Sequence, residues 1–231
     1  MAERVIRERI ASGALGPGEK LGEVGLAADL QVSRNTLREV FAALDGDGLV
    51  DRVPHRGVFV ASPGRALIDE VFRLRTLLEP AALLWAPDLD VPALRTCVDA
   101  ARAARDRADN RRPGTSSPSS GHSLAPDGAE ADTVAGSTVP SLAEANQEFH
   151  RTIVAAAGSA YVDAVAGRAL ALMRLAFHRA AAVSTGFHEP YVERNAAIVD
   201  LLEAGERAAA AERMRDYLHR ARAELLTLLP D

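Results

Sequence analysis

Residues 17–60, PGEKLGEVGLAADLQVSRNTLREVFAALDGDGLVDRVPHRGVFV, decide the fold. Residues 23–30 form one short helical run, Gln31-Val32 is a tight connection, and Ser33 is a natural N-cap for a helix over 34–46. Two short helices joined by so brief a turn predict a helix-turn-helix. Upstream, residues 3–11 suit a further helix ended by Ser12-Gly13, and Leu15-Gly16-Pro17-Gly18 is loop chemistry. Downstream, Leu49–Val53 and Gly57–Val60 predict two strands around Pro54-His55-Arg56, a hairpin with a basic tip.

The chemistry of this stretch points to nucleic acid. Arg34 and Arg38 stand four apart and so share a helix face, with Asn35 and Thr36 beside them at its N-terminal end. That end of a second helix enters the major groove in helix-turn-helix proteins. Arg pairs with guanine O6 and N7, Asn with adenine, and the Thr methyl with thymine. Val40, Phe41 and Leu44 fall on the opposite side and predict a core contact. His55, Arg56 and Gly57 at the hairpin tip suit phosphate or minor-groove contact. The bland alternative is a small helical unit with solvated arginines. Helix-turn-helix, capped arginine face and basic hairpin in this order argue against it.

Bulk composition neither helps nor forbids this reading. Net charge is −5, and residues 1–62 carry eight basic against nine acidic residues, so the DNA argument rests on where the arginines sit. A hydrophobic content of 48% with 26% charged residues is ordinary for a soluble chain of one large or two small domains. No apolar run approaches the roughly 18 residues that a membrane helix needs. The charged N-terminus lacks a signal peptide's apolar core. The single cysteine, Cys97, is expected to be a buried small hydrophobe in a protein of the reducing cytoplasm.

Beyond residue 61 no alternating strand pattern occurs. Val71, Leu74, Leu77, Leu78 and Ala81, and later Met214, Leu218, Ala221, Leu225 and Leu228, recur at three- and four-residue steps. The expected fold class is therefore mainly α: a winged helix-turn-helix over 1–62, then an all-helical bundle over 65–231. Residues 108–140, rich in Pro, Gly, Ser, Thr, Asp and Ala, predict a disordered insertion without a readable role.

The first stretch resembles the DNA-binding domain of the GntR family. The pattern is carried by Pro17-Gly18-Glu19, Leu21, Glu23, Leu26-Ala27, Val32-Ser33-Arg34, Leu37-Arg38-Glu39, Leu44, Gly48-Leu49-Val50 and Arg56-Gly57. The resemblance implies that Arg34, Asn35, Thr36 and Arg38 contact operator DNA and that Arg56 and Gly57 sit at the wing tip. The remainder resembles the FCD effector domain of this family's fatty-acid-regulator branch. The similarity rests on RALIDEVFRLRTLLEPAALLW (65–85), NQEFHRTIVAAAGSAY (146–161) and ERMRDYLHRA (212–221).

Many FCD domains hold a divalent metal with one Asp and three His, and the metal helps bind a carboxylate effector. In this chain the Asp position is Asn146, His150 is kept, and the other two His positions fall at Asn195 and Tyr217. One imidazole with two amides and a phenol is a poor metal site, so no metal cofactor is expected. His219 lies two residues from Tyr217 and points elsewhere on the helix, and His178 and His188 lack ligand spacing. Two readings of the four polar residues stay open. In one, Asn146, His150, Asn195 and Tyr217 hydrogen-bond an organic effector directly. In the other they are core polar residues of a domain that mainly dimerises.

An enzyme is not expected. Glu148 and His150 face different ways on a helix, no Gly-rich phosphate loop follows a strand, and the only lysine, Lys20, lies in the DNA-binding half. The expected partners are double-stranded operator DNA, a small-molecule effector such as an organic acid, and a second copy of the chain, with no membrane. The runner-up is a helical interaction protein without a functional effector site.

Overall fold

The computed structural model describes residues 1–111, 140–183 and 189–229. The head is built from α1 (Ala2–Ser12), β1 (Lys20–Leu21), α2 (Glu23–Asp29), α3 (Arg34–Gly46), β2 (Val50–Val53) and β3 (Gly57–Val60). The bounds of α3 follow from its cap: Ser33 Oγ accepts the Thr36 N–H at 3.0 Å and satisfies one of the helix's free donors. Gln31 turns the chain between α2 and α3 with φ 54. The wing turns at His55 (φ 61) and Gly57 (φ 113), the second a conformation that favours glycine.

The sheet has the order β1-β3-β2, antiparallel throughout, with Lys20 opposite Phe59 and Val50 opposite Val60. The two-residue strand β1 was not anticipated. It places Lys20 beside the wing, where the sequence suggested only loop.

The second domain comprises α4 (Arg65–Trp85), α5 (Val91–Arg111), α6 (Leu142–Ala155), α7 (Ala160–Val183), α8 (Glu189–Glu203) and α9 (Arg207–Leu228). Ser141 and Glu144 form a reciprocal capping box that fixes the start of α6. Helix α4 packs lengthwise on α9, and Arg207 closes its far end by donating to the Leu83 and Ala86 carbonyls at 2.7 and 2.6 Å. Ile68, Phe72, Leu83, Phe149, Ile153, Met173, Tyr191, Met214 and Leu218 fill the shared core. Cys97 is buried against it, and burial pushes its thiol pKa up.

Most of the expected insertion, residues 112–139, lies outside the described residues. Its first four positions continue α5 as far as Arg111. No strand follows β3 among the described residues, and no helix there is long and apolar enough to cross a membrane.

Residues 61–64 are the whole link between β3 and α4. The head does not hang from this link alone. Leu175 of α7 is fully buried in the head's own core, among Ile6, Ile10, Leu37, Phe41 and Val60. Arg179 of α7 donates to Ser62 Oγ at 2.6 Å. A helix of the second domain thus completes the core of the first.

Candidate functional site

Two places carry chemistry. The first is the exposed face of the head. Arg34, Asn35, Thr36 and Arg38 are all solvent-exposed on α3, while Leu37, Phe41 and Leu44 on its other side are buried. His55, Arg56 and Gly57 are exposed at the wing. Arg56 and Lys20 flank the Phe59 ring at 5.7 and 6.0 Å from its centroid, so the wing's base presents a second cation that sequence reasoning missed. Two of these side chains are engaged by neighbouring carboxylates: Arg38 Nε donates to Glu23 Oε2 at 3.1 Å, and Asn35 Nδ2 to Glu39 Oε1 at 3.3 Å. These contacts are exposed and weak enough for a phosphate or a base to replace.

The second place is buried where α4, α6, α8 and α9 converge. Asn146, His150, Asn195 and Tyr217 come together there, each nearly or fully inaccessible to solvent. Two charged residues missed in the sequence join them: Arg75 (4% exposed) and Glu79 (1%) on α4. Arg75 Nε donates to Glu79 Oε1 at 2.6 Å, and His150 Nδ1 lies 2.7 Å from Glu79 Oε2. His150 Nε2 is 3.0 Å from the Tyr217 hydroxyl, and Asn195 Nδ2 donates to Asn146 Oδ1 at 2.8 Å.

Electrostatics assigns the protons along this chain. Burial pushes the Glu79 carboxyl up, but the charge of Arg75 and the hydrogen bonds from His150 and Arg75 outweigh burial and hold it at about 2. Burial pushes His150 below its ordinary value, so the imidazole is neutral at pH 7. An ionised Glu79 then accepts the Nδ1 proton, which leaves Nε2 to accept from the Tyr217 hydroxyl. Burial also pushes the Tyr217 hydroxyl far above its ordinary pKa, so it remains a donor.

A pH dependence follows. The unfolded chain protonates His150 near 6.5 and the folded chain only at lower pH, so the neutral imidazole's contribution is complete above 6.5 and declines as pH falls below it. Urea titrations between pH 7 and 5 should show stability falling by up to about 1.4 kcal/mol per pH unit on this account. His150→Asn should flatten that slope; an unchanged slope would remove His150 as its source.

Beside the network, between α4, α6 and α7, opens a small pocket that is partly continuous with solvent. Its walls are apolar at Leu170, Met173 and Phe177 and polar at Arg75, Arg174 and His178. Asn146 and His150 also line it, whereas Asn195 does not, and Tyr217 lines a separate hollow between α8 and α9. Arg75 Nη2 and Arg174 Nε are buried without a hydrogen-bond partner. The other end of Arg174 donates to Gln147 Oε1 at 2.5 Å and faces Glu144 Oε1 at 3.4 Å, and burial lowers its pKa. Buried donors left open toward an apolar cavity are costly unless a ligand or water completes them.

Of the other candidates, His219 lines a separate hollow with Arg73, Thr76, Leu77 and Arg222. Glu148 pairs with Arg151 at the surface. His188 lies outside the described residues.

A head that offers arginines to a groove, joined to a helical domain with a polar-lined pocket, defines a transcriptional regulator with a DNA-binding and an effector-binding part. Residues 1–60 match the bacterial regulatory proteins of the gntR family, and residues 127–220 match the FCD domain. The chain thus carries a GntR-type DNA-binding domain followed by an FCD domain.

Among curated relatives, it is 28% identical over 163 residues to an uncharacterized HTH-type transcriptional regulator of Agrobacterium vitis, covering 68% of this chain and 78% of that one. It is 32% identical over 167 residues to the HTH-type transcriptional regulator SmoD of Agrobacterium fabrum, covering 66% of this chain and 65% of that one. A solved GntR transcriptional regulator from Rhodococcus sp. RHA1 superposes with a TM-score of 0.78 at 27% identity, over 99% of this chain and 97% of that one. E. coli McbR/YncC shares the fold with a TM-score of 0.72 at 17% identity, over 98% of this chain and 95% of that one.

Proposed function

We propose that the protein is a homodimeric regulator that binds a pseudo-palindromic operator, and that its affinity for the operator changes when an organic acid enters the α4–α6–α7 pocket without a metal ion. The observation that carries this reading is a pair of guanidinium nitrogens, one on each of two arginines, that lack a hydrogen-bond partner. Arg75 Nη2 and Arg174 Nε are buried and line a largely apolar pocket, and a carboxylate is a strong acceptor for such donors even though Glu79 and Glu144 already face the two guanidinium groups. Leu170, Met173 and Phe177 would receive the acid's hydrocarbon body.

The residues present do not suit a divalent metal. The imidazole that could ligate it is committed at both nitrogens, to Glu79 and to Tyr217, and the two amides bond one another. His150 and Asn146 are instead assigned to the pocket wall, with Asn195 and Tyr217 holding them in place. On the DNA side, Arg34, Asn35, Thr36 and Arg38 are assigned to base edges, and His55, Arg56 and Gly57 to the backbone beside them. Leu77 (73% exposed) and Trp85 (76%) on α4 and Tyr161 (88%) on α7 are apolar side chains available to a partner copy. A self-complementary contact between two copies would give the two-fold symmetry that a palindromic site requires.

The test has two parts. A gel-shift titration against DNA from the gene's own upstream region, at fixed salt with excess competitor, should give specific retention. In parallel, thermal shift with propionate, hexanoate and benzoate should raise the Tm for at least one acid, with or without EDTA. An acid at one-hundred-fold excess over its Kd contributes about 2.7 kcal/mol. The corresponding amides should have no effect, and Arg174→Gln should weaken the acid at least about tenfold, as expected for one charge-assisted bond. Amides binding as well as acids, or loss of binding in EDTA, would overturn the metal-free carboxylate site.

A further inference from the structure

Helix α7 serves both functional places at once. At about 100° per residue, Leu170, Met173, Arg174 and Phe177 form one face, and they line the pocket. Arg168, Ala171, Leu172, Leu175 and Arg179 form a second face, and they meet the head. Leu175 and Ala171 join its core, Leu172 and Arg168 approach Gly48, and Arg179 bonds Ser62. His178 falls on the boundary between the two faces. It lines the pocket, and its ring also packs against Gly13, the residue that caps α1.

That second contact is specified by the glycine. Gly13 holds φ 83, and its N–H closes α1 on the Ile10 carbonyl at 3.2 Å. A Cβ at this position would lie 2.8 Å from His178 Cε1, so a side chain there would push the ring away. The end of α1 is bare where the imidazole of the effector domain rests on it. Within α1, Ile6 and Ile10 share one core with Leu37 and Phe41 of the recognition helix α3. A packed core of this kind passes on a displacement rather than absorbing it.

We infer that His178 is the positioning residue through which occupancy of the effector pocket is transmitted to the DNA-binding head, by way of its contact with Gly13 at the end of α1. The inference rests on the effector-pocket reading and adds the route of regulation. An occupant between Arg174 and Phe177 competes with His178 for space. The ring yields toward the head, and α1 moves with the core that orients α3.

The test is a double-mutant cycle that needs no identified effector. Ala143 lines the same pocket from α6, so Ala143→Leu fills it from within and stands in for a ligand. Ala143→Met, longer but flexible, serves if the leucine variant does not fold. Operator affinity is measured by fluorescence anisotropy for wild type, the filled variant, His178→Ala and the double variant. Amide hydrogen exchange over residues 6–15 is followed alongside.

The filled pocket should shift operator affinity at least about fivefold, the low end of ordinary allosteric coupling, and should alter exchange at the end of α1. In the His178→Ala background the same filling should shift affinity less than about twofold, giving a non-additive cycle. An equal shift in both backgrounds would overturn the route through His178. So would a filled pocket that moves neither operator affinity nor α1 exchange. Wild-type protein that binds no operator would sink the regulator reading itself, an outcome visible before any variant is compared.

Discussion

Replacing Glu79 with alanine should destabilise the helical domain by about 3–5 kcal/mol, as much as truncating a fully buried core aromatic. The carboxylate is 1% exposed and accepts from both Arg75 and His150. Its removal leaves a guanidinium charge in the interior with no counter-ion and strips the imidazole of its orienting partner. Glu79→Gln keeps the shape and one acceptor but loses the charge, and should fall between. Arg75→Met combined with Glu79→Leu removes both charges together and should recover most of the loss, because desolvating an ion pair costs nearly as much as its attraction returns. Urea unfolding followed by circular dichroism measures all three. A loss below about 1 kcal/mol for the alanine variant would mean that water reaches Arg75 and that the site is not closed.

The second large effect concerns DNA. Arg34→Ala and Arg38→Ala should each cost about 1–3 kcal/mol of operator affinity, roughly five- to 150-fold, if each pairs with a guanine edge. Each should also relax the base preference at one operator position. Arg56→Ala, at the wing, should instead weaken all sequences alike and lower the slope of affinity against salt by about one counter-ion. Glu23→Gln should act in the opposite sense to Arg38→Ala, because Glu23 holds Arg38 in the free protein. Anisotropy titrations on the operator and on scrambled DNA at two salt concentrations separate these outcomes. Unchanged operator affinity in both α3 variants would remove the assigned roles.

Much of the head was legible in its sequence because local rules agree there. Ser33 caps α3, Gly46 ends it, and the hydrophobic and arginine faces separate at helical spacing. Strand β1 was not legible: Lys20-Leu21 is too short to show alternation, and only its pairing with Phe59 and Val58 makes it a strand. In the second domain, Asn146, His150, Asn195 and Tyr217 could be gathered from sequence, but their partners could not. Arg75 and Glu79 stand four apart on α4, a spacing that ordinarily marks a solvated surface pair. Only the packing of α6 and α9 over them turns the pair into a buried one. Helix α7 was opaque for a different reason. Apolar on two faces, it shows no single stripe, and which face meets the head emerges only from the fold.

The engagement of Arg38 by Glu23, in a head whose charges nearly cancel, bears on how the protein spends its time in a genome. Stray DNA attracts proteins mainly through uncompensated positive charge. A head with eight basic and nine acidic residues, and Arg38 already engaged by Glu23, should gain little from an arbitrary duplex. Such a molecule should be held less by decoy sites than a strongly basic regulator is. More copies should then remain free, so that a smaller pool keeps an operator filled. The same economy should limit one-dimensional scanning and favour search by repeated three-dimensional collision.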